Sequence, residues 1–326
     1  MNIIEQATKR LEQLERAGVR VPWSAAGITP GDTRVDGSLL APNIVDGAPP
    51  RMLFEATPQL ATRLHEAVKL SPVPVTPAVL DQTDLGQEPK AVMLDLEVLE
   101  RSGYLVPSQV RSTLAEQFRQ IKRPLLRNAR SKDSVEKRLS LIMVTSALPK
   151  EGKTFCAINL AMSMSIEIDT SVLLVDADVV RPDVMHRLGV ESQKGLLDLL
   201  TDPHLRLSDV VLKTNVPKLS ILPAGTRNSM STELLASEAM GELLVSLSQS
   251  DTKRIVIFDA PPLLVTTEAK VLASRLGQVV MVVEASSTPR SAAMQAFATV
   301  EQCPIVMSVV NKASEREGGS YGDYYG

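Results

Sequence analysis

Gly152-Lys153-Thr154 stands where an apolar run ends and a helical segment begins, and these residue types in this order can bind phosphate. Phosphate oxygens need backbone N–H groups offered by a loop with little side-chain bulk. They also need the positive end of a helix dipole and a cation long enough to reach them. The glycine meets the first need, a helix running from Phe155 to Ile166 the second, and Lys153 the third. Thr154 adds a hydroxyl suited to Mg²⁺. The residues before the loop, Leu139 to Val144, form a short apolar run of the kind found in a strand buried on both faces. The glycine pattern is incomplete: Ala147 stands where the first glycine commonly falls, and Lys150 where glycine is frequent.

Two acidic strand ends lie downstream. Val172–Val175 runs into Asp176-Ala177-Asp178, and Ile255–Phe258 runs into Asp259-Ala260-Pro261-Pro262. A single aspartate after a strand is ordinarily a cap or a turn residue. Two of them behind one phosphate loop suggest more, because ligands of parallel α/β sheets bind at the carboxyl ends of the strands. Nucleotide-bound Mg²⁺ needs only one or two carboxylates. Asp176 and Asp259 are assigned to it, directly or through water, which leaves Asp178 to accept a proton from an attacking hydroxyl. Such hydroxyls lie at the far end of the chain, where Tyr321, Tyr324 and Tyr325 follow Gly318-Gly319-Ser320. Tyrosine rings usually fill cores and interfaces. On a glycine-rich tail they read as mobile phosphate acceptors.

The intervening elements must position these groups. Strands are expected at 170–176, 218–223, 254–259, 279–283 and 305–310, with a helix from Ser231 to Gln249 capped by Ser231 or Thr232. Apolar strands alternating with helices predict a doubly wound, mostly parallel sheet with flanking helices. A helix expected over Ser108–Arg130 carries Glu116, Arg119 and Lys122 at i, i+3, i+6, and the ordinary meaning of such spacing is a solvated face.

Composition narrows the function classes. Apolar residues make up 44% of the 326, enough for a real core, and the 3% aromatic content makes that core aliphatic. A net charge of −3 gives no electrostatic reason to bind nucleic acid. The three histidines are scattered, and Cys156 and Cys303 lie in apolar segments without metal-ligand spacing, so both read as buried, reduced core residues. Without a signal-peptide core or a long apolar window, the chain is expected in the cytoplasm unless a partner holds it at a membrane. Residues 1–20 are expected to hold an amphipathic helix. Residues 21–92 contain ten of the 21 prolines and read as a linker, largely disordered, with a short helix from Thr57 to about Lys69.

From about Glu100 onward the chain resembles the bacterial tyrosine autokinases of polysaccharide export, and more narrowly their exosortase-associated cytoplasmic members. The resemblance rests on Ser146–Thr154 as the Walker A segment, Val172–Pro182 as the second aspartate motif and Ile255–Pro262 as Walker B. It extends to Glu116, Arg119 and Lys122 as a Glu-x-x-Arg-x-x-Arg helix, Val309-Val310-Asn311 near the base, and the tyrosine tail. It implies a MinD/ParA-like P-loop NTPase fold over residues 93–314, with residues 315–326 as a flexible acceptor tail. The implied activity is non-specific protein-tyrosine kinase, with ATP and Mg²⁺ as cofactors and a role in exopolysaccharide biosynthesis. Pro149, Lys150, Glu151, Gly152, Lys153, Thr154, Phe155 and Asn311 would bind the nucleotide. Thr154, Asp176 and Asp259 would hold the metal, and Lys153, Asp176 and Asp178 would serve catalysis. Glu116, Arg119 and Lys122 would face a neighbour in a ring-like homo-oligomer whose tails enter adjacent sites in trans. Further implied partners are a membrane chain-length determinant or polysaccharide co-polymerase, which would hold the kinase peripherally at the inner membrane, and a phosphotyrosine phosphatase. Lys122 replaces the last arginine of the helix motif, and Val180 stands where arginine is common.

Two rival readings share the fold. A positioning ATPase typically carries a lysine early in the loop, at the place of Leu148, and lacks a tyrosine tail. A nucleotide-bound scaffold of an exporter would differ only in that phosphate never reaches tyrosine.

Overall fold

Within each central strand, alternate residues belong to different hydrophobic layers. In Leu141–Ser146 (β2), Ile142 and Val144 face one layer while Leu141 and Met143 face the other. Ser171–Asp176 (β3) divides the same way, Val172 and Leu174 against Leu173 and Val175. So does Arg254–Asp259 (β6), Ile255 and Ile257 against Val256 and Phe258. Side chains alternate along a strand, so strands apolar on both faces need helices on both.

The computed structural model describes residues 90–313, apart from 110, 133–137, 250 and 252. The expected N-terminal helix, the proline-rich segment to residue 89 with its short helix, and the tyrosine tail lie outside the described residues. The remaining strands are Ala91–Val92 (β1), Leu212–Thr214 (β4), Leu219–Leu222 (β5), Gln278–Glu284 (β7) and Ile305–Asn311 (β8). Their order across the sheet is β1-β4-β5-β3-β6-β2-β7-β8. Every pairing is parallel except β4 with β5. One face carries Leu96–Arg101 (α1), Thr113–Ala129 (α2), Lys153–Ser165 (α3) and Val184–Arg187 (α4). The other carries Leu196–Thr201 (α5), Leu207–Val210 (α6), Ser231–Ala236 (α7), Glu238–Gln249 (α8), Thr267–Ala273 (α9) and Arg290–Thr299 (α10). The expected doubly wound sheet is present. Cys156 and Cys303 are buried free thiols within its layers, as expected.

Local details depart from expectation. The single helix expected over 231–249 breaks at Ser237, whose extended backbone and hydroxyl begin a new helix by accepting from Met240 N at 3.2 Å. Arg275 Nη1 holds the break by donating to the Ser237 carbonyl at 2.7 Å. Neither Ser231 nor Thr232 is the cap: Met230 stands there without a side-chain bond, and Thr232 donates instead to Glu268 Oε1 at 2.6 Å. Helix α2 starts at Thr113 rather than Ser108, because Ser112 caps it through Ala115 N at 3.1 Å. Strands β1 and β4, two and three residues long, are too short to leave a periodic signal.

The placement of Lys122 is a correction. A step of three residues turns a helix by about 300°, so two steps end about 120° from the start. Glu116 and Arg119 remain near the surface and pair with each other. Lys122 turns inward, is only 5% exposed, and donates to the Ser163 carbonyl at 2.6 Å while pairing with Glu167 at 2.8 Å. Ser163 lies in the last turn of α3, where carbonyls lack helical partners. Lys122 is therefore an internal cap of the phosphate-loop helix and is not available to a neighbouring subunit. Replacing it with alanine should leave that carbonyl without its donor and lower stability by about 2 kcal/mol. Lys122→Met, which keeps the apolar stem, should lose less. Urea denaturation of the two variants checks this order.

Candidate active site

The loop after β2 is shaped by side chains distant in sequence. The Ser146 hydroxyl donates to the Leu148 carbonyl at 2.7 Å, and Leu148 N donates to Glu151 Oε2 at 2.6 Å. The other Glu151 oxygen accepts from the Thr288 hydroxyl. At the end of β8, Asn311 Nδ2 donates to the Glu151 carbonyl and Lys312 Nζ to the Lys150 carbonyl, each at 2.9 Å. Gly152 is required twice over. Its φ is +96°, and a Cβ there would lie 2.0 Å from Asn311 Nδ2. The following helix α3 has no acidic residue in its first turn and no side-chain cap. Its opening N–H groups are free of internal competitors, the condition an anion site needs.

These elements border a cavity of about 850 Å³. Of the residues expected to bind nucleotide, Pro149, Lys150, Gly152, Lys153, Thr154, Phe155 and Asn311 line it. Glu151 is the exception. Its side chain is buried within the loop as a brace, and it does not line the cavity. Asp178, Arg181, Asp183, Arg187 and Lys312 complete the charged part of the wall. Arg187 and Lys312 escape a motif reading. The first lies on a short helix, and the second is signalled only by its place after Asn311.

Three aspartates meet beneath Lys153. Asp176 and Asp259 stand in register at the ends of adjacent strands, both without solvent exposure. Lys153 Nζ lies 2.6 Å from Asp178 Oδ2 and 3.9 Å from Asp259 Oδ1. Asp176 Oδ2 accepts from Val184 N at 3.1 Å, and Asp178 Oδ1 accepts from Arg181 N at 3.0 Å. Asp176 Oδ1 and both Asp259 oxygens are buried without a hydrogen-bond partner. Burial pushes Asp176 well above the usual carboxylate range, and the charge of Asp259 adds to it. Burial likewise raises Asp259, to about 6, against the opposing pull of Lys153. Burial alone would lower Lys153, but Asp259, Asp178 and Asp176 together hold its ammonium above its ordinary value.

Buried carboxylate oxygens without donors are costly unless a cation meets them. Three such oxygens beside the Thr154 hydroxyl fit a hard divalent ion. Among the described residues no three His, Cys, Asp or Glu side chains form a metal cluster, so an ion here would draw further oxygens from ligand and water. Tyr104 braces the opposite wall. Its ring centroid lies 5.2 Å from that of Phe155, and its hydroxyl accepts from Arg187 Nη1 at 3.1 Å. Glu116 and Arg119 do not border the cavity.

The raised carboxylates set a pH dependence. Asp259 moves from an ordinary 3.8 to about 6, so between those values the folded state holds a proton that the unfolded state has lost. Stability of the nucleotide-free protein therefore falls as pH rises through that window, and Asp176 shifts it in the same direction. Asp259→Asn should raise the melting temperature at pH 7.5 by roughly 5 °C. The gain should shrink as pH is lowered toward 4, which differential scanning calorimetry across pH measures.

No family model matches the chain. Among individual proteins, the putative tyrosine-protein kinase CapB of Staphylococcus aureus is 24% identical over 223 residues, 68% of this chain and 94% of the relative. The tyrosine-protein kinase wzc of Salmonella typhimurium is 28% identical over 186 residues, and there this chain spans only 25% of the relative's length. A crystal structure of the chimerical protein CapA2B2 superposes with a TM-score of 0.54 at 22% identity, over 65% of this chain and 97% of that one, a likeness of fold. The tyrosine-protein kinase YwqD of Bacillus subtilis is 30% identical over 195 residues, 59% of this chain and 80% of the relative. Kinship at that identity over most of a relative's length settles the matter: the chain belongs to the bacterial tyrosine-protein kinases.

Proposed function

We propose that this kinase uses ATP to phosphorylate tyrosines of its own C-terminal segment, and that the cycle regulates exopolysaccharide synthesis or export. The observation that carries the reading is the Lys153–Asp178 ion pair, at 2.6 Å, set over two further strand-end aspartates at the wall of a cavity that begins a helix. Phosphoryl transfer asks mainly for positioning and charge neutralisation. The loop contributes backbone N–H groups from Lys150 to Phe155, and Lys153 binds the outer phosphates. Thr154, Asp176 and Asp259 would hold Mg²⁺, which neutralises charge on the phosphates when bound.

The same ion pair suggests an order of events. With the cavity empty of phosphate, the Lys153 ammonium occupies Asp178. Phosphates entering the loop compete for that ammonium and release the carboxylate. An acceptor phenol then attacks the γ-phosphorus, its proton passes to Asp178, and the bond to the β–γ bridging oxygen breaks to leave ADP. A phenol with pKa about 10 needs such a base at neutral pH.

Tyr321, Tyr324 and Tyr325 are the proposed acceptors, delivered in trans within a ring-like homo-oligomer. Glu116 and Arg119 are its proposed contact residues. Each phosphotyrosine adds about −1.5 to −2 charge, which would repel the acidic site and loosen the ring. Domains follow the same reading, a kinase body over 93–314 and an acceptor tail over 315–326, except that strand β1 adds residues 91–92 to the body. No helix among the described residues is long and apolar enough to cross a membrane. Attachment at the inner membrane would then come from a polysaccharide co-polymerase partner, with a phosphotyrosine phosphatase resetting the cycle. The relative ExoP of Rhizobium meliloti, a succinoglycan biosynthesis transport protein matched over 29% of its length, supports that setting.

Two experiments test the proposal. Lys153→Met should abolish measurable ATP binding and lower phosphotyrosine formation by about 10²-fold or more. Retained autophosphorylation would place the chemistry elsewhere. Changing Tyr321, Tyr324 and Tyr325 together to Phe should remove nearly all phosphotyrosine while ATP binding persists. The fourth tyrosine, Tyr104, is only 5% exposed and is held by Arg187. Incorporation at the parent level in the triple variant, measured by labelled ATP, would favour the plain ATPase or scaffold reading.

A further inference from the structure

One loop position has a backbone suited to one residue type and a side chain of another. At Lys150 the chain is left-handed, with φ +71°. Glycine enters that conformation freely, while a residue with a Cβ is strained in it. The backbone is fixed from outside, by Lys312 on the Lys150 carbonyl and Asn311 on the Glu151 carbonyl. Glycine would meet those demands without strain, as Gly152 does two residues later. A strained residue at a ligand-binding loop points to a use for its side chain.

Lys150 lines the cavity that holds Lys153, and it is exposed. Three carboxylates underlie the cavity, and the single ammonium among them already pairs with Asp178. A nucleoside triphosphate is a polyanion, so it would enter over an acidic floor that Lys153 alone does not neutralise. Two other cations of the wall are engaged, while the Arg181 guanidinium has no carboxylate partner among the described residues. Lys312 pairs with Glu284 at 3.1 Å and donates to the Lys150 carbonyl, and Arg187 is held by Asp183 and Tyr104. The Lys150 ammonium has no carboxylate partner among the described residues.

We infer that Lys150 is a second phosphate-binding lysine, whose ammonium lies against the triphosphate of bound nucleotide and offsets the acidic floor. This rests on the reading of the cavity as the ATP site and adds a side-chain contact to a loop otherwise described by its backbone. A charge placed beside the phosphates before transfer acts on binding, so it lowers KM with little change in kcat.

The test uses the full chain with MgATP and MgADP in titration calorimetry, and three variants. Lys150→Gly relieves the strain and removes the charge. Lys150→Asn removes the charge with a side chain that tolerates the left-handed region. Lys150→Arg keeps the charge. The inference expects Lys150→Gly and Lys150→Asn each to weaken ATP binding about tenfold, and Lys150→Arg to stay within about threefold of the parent. ATP affinity of the parent should also fall more steeply with added salt than that of Lys150→Asn. The melting temperature of nucleotide-free Lys150→Gly should not drop, which excludes misfolding as the cause. Unchanged affinity in Lys150→Gly and Lys150→Asn overturns the inference. So does a loss confined to Lys150→Gly, which would mark loop flexibility rather than charge. If Lys153→Met binds ATP like the parent, the fault lies in the assignment of the site and not in Lys150.

Discussion

The site depends on one crowded electrostatic arrangement, a single ammonium among three buried carboxylates. The Lys153 ammonium pairs with Asp178, and its charge opposes the upward shift that burial imposes on Asp259 and Asp176. Charges so placed are stable only in a frame that cannot relax around them. The central parallel strands supply that frame. β3 and β6 pair in register through Asp176 and Asp259, with β2 on the other side of β6 delivering the loop. Each of these strands is covered on both faces by buried apolar side chains, and Asp176 and Asp259 have no solvent exposure.

Helix α3 carries Lys153 in its first turn and is secured at both ends by residues outside itself. Asn311 and Gly152 fit against one another at its start, where no Cβ could be accommodated. Lys122 caps the Ser163 carbonyl near its end. In the middle, Asn159 is fully buried and accepts from Leu105 N at 2.6 Å, which joins the segment before α2 to the same helix. A helix tied at three levels holds its N-terminal groups at a fixed distance from the strand ends, and preorganised charge of this kind stabilises a developing anion without reorganisation.

Much of this was legible in the sequence because the decisive signals are local. Gly152-Lys153-Thr154 follows its strand directly, and Asp176 and Asp259 follow theirs, so chain order alone brings them to one sheet edge. The partners of the loop were not legible, because contact between Glu151 and Thr288, or Lys150 and Lys312, joins residues more than a hundred positions apart. Lys122 was misread for a different reason. Spacing by threes looks like one stripe in a short window, but it drifts around the helix and carries the third residue into the core. Ser237 shows the same limit: a helical pattern continues through 231–249, and only the tertiary bond from Arg275 reveals where it is interrupted.

Among the described residues strand β8 has a neighbour on one side only, β7, and Val310 on it is 64% exposed. It is also the strand that delivers Asn311 and Lys312 to the phosphate loop. Edge strands present open N–H and C=O groups and fray before central ones. The fastening of the loop thus belongs to the low-stability end of the sheet while Lys153 and the aspartates belong to its centre. Loosening of the last residues of β8 would open the binding loop without unfolding the charged floor. On the proposed function, amide hydrogen exchange at β8 and nucleotide release would then be two readings of one local equilibrium.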